Sequence, residues 1–65
     1  MRILVNGERR ELASTTLEAA LVELGYLAAL VATAVDGDFV PATARGTCRL
    51  DENSAIEILA PMKGG

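Results

Sequence analysis

Two hydrophobic periods follow one another along this chain. Residues 2–5 read Arg-Ile-Leu-Val, a run with the length and composition of a strand. Asn6-Gly7 follows, a dipeptide suited to the positive φ angles of a two-residue hairpin turn. Residues 8–12 then return as a second strand. Its charges, Glu8, Arg9, Arg10 and Glu11, suit an exposed edge, where they discourage stray strand pairing. From Leu17 the period lengthens to that of a helix. Leu17, Ala20, Leu21 and Leu24 fall on one face, with Glu18 and Glu23 away from it. The spacing predicts a helix over 16–24. Thr15 and Glu18 have capping-box spacing at its start, and Gly25 suits the left-handed position that ends it. The leucine stripe is read as core.

The second half is less regular. Residues 26–30 are apolar without a clear period and are expected to link the helix to a strand at 31–35. Asp36-Gly37 is a second hairpin-type turn. A short strand at 38–40 is stopped by Pro41, which has no amide to donate to a ladder. The small residues of 42–48 predict a loop with at most one turn of helix, and Arg45 and Arg49 are read as solvated charges. A polar turn at 51–54 leads to a last strand at 55–60. There Ile56, Ile58 and Ala60 are expected to face the helix, with Glu57 and Leu59 turned away. Glu57 and Glu52 are read as solvated acids. Pro61 ends the strand, and 62–65 are expected to project as a mobile tail. The reading is one domain over 1–60 and a tail over 61–65.

A hairpin, one helix and then further strands imply a mixed sheet of four to five strands with the main helix packed across one face. The first and last strands would lie side by side and parallel in the middle. This is the α+β arrangement called β-grasp, shared with ubiquitin.

Composition narrows the picture. At 65 residues there is room for one small domain. The chain is 51% hydrophobic, yet 11 of those residues are alanine. The core is expected from 17 Ile, Leu and Val residues, with Phe39 and Tyr26. A net charge of −3 argues against binding to phosphate backbones, so no nucleic-acid partner is expected. The longest apolar stretch, 27–35, is broken by Thr33 and is too short to span a bilayer. Asn6-Gly7-Glu8 ends the apolar start too soon for a signal peptide. Cys48 is alone, which fits a reducing compartment. No membrane partner and a cytoplasmic location are therefore expected. With no histidine to activate it, Cys48 is read as a small hydrophobe. No phosphate-cradling loop or metal-ligand cluster occurs, so no catalytic residue and no metal site are assigned.

One chemical handle is left. The sequence closes on Gly64-Gly65. A carboxylate on two residues without Cβ atoms would pass through a narrow channel and, once activated, act as an acyl donor. The plain alternative is a frayed end.

With that ending, the chain resembles the sulfur carrier proteins of thiamine biosynthesis. The resemblance covers the whole chain. Its best markers are Val35-Asp36-Gly37-Asp38-Phe39-Val40-Pro41, Ile56-Glu57-Ile58-Leu59 and Pro61-Met62-Lys63-Gly64-Gly65. Residues 42–48 depart from it, since relatives often carry bulkier side chains there. The resemblance implies a protein co-substrate and not an enzyme. It binds no cofactor itself; ATP is used by a partner adenylyltransferase, which activates the Gly65 carboxylate. A cysteine-derived persulfide supplies sulfur, Gly65 becomes a thiocarboxylate, and thiazole synthase accepts the sulfur. Met62, Lys63 and Gly64 would form the arm that delivers it. Leu59 and Leu4 are candidates for partner docking on the sheet face away from the helix, or else ordinary surface leucines. Alternatives are sulfur carriage for molybdopterin or another pathway, conjugation through Gly65, or a β-grasp interaction module whose tail is never modified.

Overall fold

The computed structural model describes residues 1–60. Strand β1 (Arg2–Val5) pairs antiparallel with β2 (Glu8–Glu11) through the Asn6-Gly7 turn, where φ is 50° and 85°. Helix α1 (Leu17–Leu24) follows, then a short 3₁₀ segment (Ala28–Leu30). Strands β3 (Ala32–Val35) and β4 (Asp38–Val40) form the second hairpin around Asp36-Gly37. A longer 3₁₀ segment (Ala42–Thr47) leads back to β5 (Ala55–Leu59). The sheet order is β2-β1-β5-β3-β4. β5 lies at its centre, parallel to β1 and antiparallel to β3. The expected mixed β-grasp sheet is therefore present, with five strands.

The core lies between one sheet face and α1. Leu17, Ala20 and Leu21 of the helix meet Ile3 and Val5 of β1 and Ile56 and Ile58 of β5, all buried. Full burial of a leucine or isoleucine contributes roughly 1.5–3 kcal/mol relative to exposure, so these few contacts carry much of the fold's driving force. Leu12, Val40 and Leu50 complete the buried set, and Tyr26 packs at its margin.

The helix begins one residue later than capping-box spacing predicts. Thr16 is the N-cap, and its hydroxyl accepts the Ala19 amide at 3.2 Å. The Thr15 carbonyl accepts the Leu50 amide, and Thr16 itself is the extended residue that precedes the helix. The Leu17 amide in turn donates to the Cys48 carbonyl. Contacts from the 48–50 segment thus decide where the helix starts. Glu18 does not turn back to the cap; its carboxylate lies beside Gly46, 3.2 Å from where a β-carbon on that glycine would stand. At the other end Gly25 takes φ 87°, and Tyr26 donates to the Leu21 carbonyl in the expected left-handed stop. Thr16→Ala is expected to lower stability by about 1 kcal/mol in urea unfolding, and Thr15→Ala by clearly less. The Glu23 carboxylate fastens the preceding connector. It accepts from the Ser14 hydroxyl and from the Ala13 and Ser14 amides, which hold its carboxyl below the ordinary range.

Four further expectations are corrected. Phe39 is 70% exposed and is not core. β4 places Val40 opposite buried Thr33, so the alternation of a strand turns Phe39 to the other face. Ala60 lies beyond the end of β5 and is exposed. The 42–48 region is not a loop with one turn but six residues of 3₁₀ helix, and Arg45 within it is only 4% exposed. The Arg45 guanidinium donates from Nε to Thr33 Oγ1 (3.0 Å), from Nη1 to the Ala28 carbonyl (2.8 Å) and from Nη2 to the Val31 carbonyl (2.7 Å). It thereby ties both 3₁₀ segments to β3. Arg49, by contrast, is exposed as read from the sequence.

Candidate functional site

β5 carries the site, because its two faces have opposite fates. Ile56 and Ile58 enter the core, while Glu57 and Leu59 face outward. Leu59 is 73% exposed. The register sets its neighbours on the open face. Leu4 stands opposite Ala55, Ala32 opposite Leu59, and Ala34 opposite both Glu57 and Phe39. Together they line a shallow depression of about 650 Å³. A second hollow continues past Leu59 to Leu30 and Ala60. The apolar surface thus runs from the middle of the sheet to the point where β5 gives way to residues 61–65.

Leu4 and Leu59 accordingly lie on the same open face, Leu4 half-buried and Leu59 projecting. Gly65, Gly64, Lys63 and Met62 lie outside the described residues. Phe39, read from sequence as core, and Leu30, not assigned a role there, are both exposed and belong to the same surface. For Phe39 the signal was available, since it follows directly from pairing Val40 with a buried residue. For Leu30 none was, because residues 26–30 have no period.

Side chains of the two hairpin turns hold β5 in place. Asn6 uses its amide as a piece of strand: Oδ1 accepts the Ile58 amide (2.8 Å) and Nδ2 donates to the Ile58 carbonyl (3.2 Å). Asp36 acts similarly at the other end. Its carboxylate accepts the Ala55 amide and its own amide donates to the Ala55 carbonyl, both at 2.8 Å. The turn residues therefore do more than reverse the chain; they lengthen the pairing of the strand that leads to the tail.

Among the described residues no group of three or more His, Cys, Asp or Glu side chains is placed to hold a metal ion. Among the same residues no helix is long and apolar enough to cross a membrane. Cys48 is a half-buried free thiol at the edge of the core.

Among the described residues one α-helix covers one sheet face and leaves the other open and apolar, which defines a small ubiquitin-like, β-grasp domain. The ThiS family model matches residues 3–65, and the chain belongs to that family of sulfur carriers. In three dimensions it is similar to the thiamine biosynthesis protein ThiS of Geobacter metallireducens. The crystal structure of that protein superposes with a TM-score of 0.83 at 23% identity, covering 100% of both chains. The solution structure of a thiamine biosynthesis protein from the same organism gives a TM-score of 0.82 at 23% identity, covering 100% of this chain and 88% of the other. No curated protein sequence matches the chain.

Proposed function

We propose that this protein carries sulfur for the thiazole moiety of thiamine, with the Gly65 carboxylate as its reactive group. The observation that carries the reading is the family match, which extends through Gly64-Gly65. In the cycle we propose, the carboxylate attacks the α-phosphorus of ATP on a partner adenylyltransferase and releases pyrophosphate. The mixed anhydride has AMP as a good leaving group. The terminal sulfur of a cysteine-derived persulfide displaces it, and a thiol then cleaves the S–S bond to leave a thiocarboxylate. That group is a soft nucleophile comparable to a thiolate. Thiazole synthase takes up the sulfur and returns the carboxylate. The folded body supplies no acid, base or metal in this scheme. It presents the tail and the surface that partners grip.

The test is intact mass after incubation with the adenylating enzyme, ATP and a persulfide donor. A gain equal to sulfur minus oxygen, located in the C-terminal fragment, is the expected result; an unchanged mass ends the proposal. Docking through the open face is tested in the same assay by Leu59→Asp. A charge in the middle of an apolar contact is expected to slow adenylation at least about tenfold at fixed enzyme concentration. The melting curve should stay close to wild type, because the side chain is exposed. An unchanged rate removes Leu59 from the interface.

A further inference from the structure

Two carboxylates line the depression on the open face: Asp36 at its margin, engaged by the Ala55 amide, and Glu57 at its centre. Glu57 stands between Ala55 and Leu59 on β5 and opposite Ala34 on β3. These neighbours are apolar, and the alanines are too short to cover a carboxylate. Glu57 is exposed, and it has no hydrogen-bond or ion-pair partner among the described residues. A solvated carboxylate on this surface costs nothing while the face is wet. Covering the face removes its water. An unpaired carboxylate in a dry apolar contact is unfavourable by several kcal/mol, whereas one met by a guanidinium in good geometry is not.

The length of the tail says what covers it. Residues 61–65 are five residues, which at full extension span at most about 18 Å. An enzyme that takes Gly65 into its active site must therefore stand close to Ala60, against the end of β5 and the surface around it.

We propose that Glu57 is a partner-selecting residue, and that the open face docks on an apolar surface of the adenylating enzyme that presents one arginine or lysine side chain to it. The inference rests on the carrier reading above. Attraction comes from the apolar ring; selection comes from the acid, which rejects apolar surfaces lacking a matching cation.

Steady-state adenylation by the adenylating enzyme of the same host tests this, with the full chain as the varied substrate. Glu57→Gln keeps shape and removes charge, and Glu57→Arg reverses it. KM is expected to rise about tenfold for Glu57→Gln and about 100-fold for Glu57→Arg, with kcat within a factor of about two. Both variants should melt like wild type. The inference is overturned if both keep wild-type kcat/KM, if Glu57→Gln binds more tightly, or if the loss falls in kcat alone. Failure of the wild-type chain itself to be adenylated overturns the carrier reading, and this inference with it.

Discussion

Replacing Arg45 with leucine is expected to cost the domain about 3 kcal/mol or more. The guanidinium makes three hydrogen bonds, to Thr33 Oγ1 and to the carbonyls of Ala28 and Val31. Leucine fills part of the volume and satisfies none of these acceptors. Thr33 keeps its bond to the Val40 carbonyl, but the Ala28 and Val31 carbonyls lose their guanidinium partner. Hydrogen bonds to charged groups contribute about 1.5–3 kcal/mol each and are not fully additive. A 65-residue domain has a total stability of only about 3–10 kcal/mol. The substitution therefore consumes a large share of it. Urea unfolding followed by circular dichroism gives the measurement. Arg45→Lys is expected to fall between wild type and leucine, because an ammonium cannot reach three acceptors in a planar fork. A midpoint for Arg45→Leu indistinguishable from wild type would mean that this cluster is not a fastening point.

The second large effect is confined to chemistry. Gly65→Ala and Gly64→Ala are each expected to reduce thiocarboxylate formation by a factor of the order of 100, since small misplacements of a reacting group cost about that much. The core described for the domain is drawn from residues 1–58, which neither change alters, so unfolding is expected to be unaffected. The pair of readouts separates this outcome from that at Arg45. One variant loses the fold; the others keep the fold and lose the reaction. Wild-type sulfur loading by the doubly substituted chain would remove the need for an unhindered arm.

Much of the architecture was legible in the residues. Asn6-Gly7 and Asp36-Gly37 mark both hairpins because few other pairs accept positive φ twice in succession. Leu17, Ala20 and Leu21 mark the buried helix face because their spacing matches its period. The outward setting of Leu59 followed from alternation along β5. What escaped was decided by contacts distant in sequence. Thr16 caps the helix in place of Thr15 because residues 48–50 pair with the chain there. Arg45 is buried because three acceptors, from residues 12 to 17 positions earlier, converge on it. Its own neighbours, small and without period, carry no sign of this. Gly64 and Gly65 lie outside the described residues, and the chemistry proposed for them rests on the family match.

The side-chain clamp of Asn6 on Ile58 has a mechanical consequence. In the proposed cycle, an enzyme that held residues 61–65 would load the chain just beyond the end of β5. That strand is flanked on both sides, by β1 and β3, and the backbone of Ile58 near its end is gripped by the side-chain amide of Asn6 from the first hairpin. The load falls on many hydrogen bonds in shear at once, and none can be peeled singly as on an edge strand. Tension entering at Ala60 would thus be spread through the middle of the sheet, and the body would hold its shape under that load.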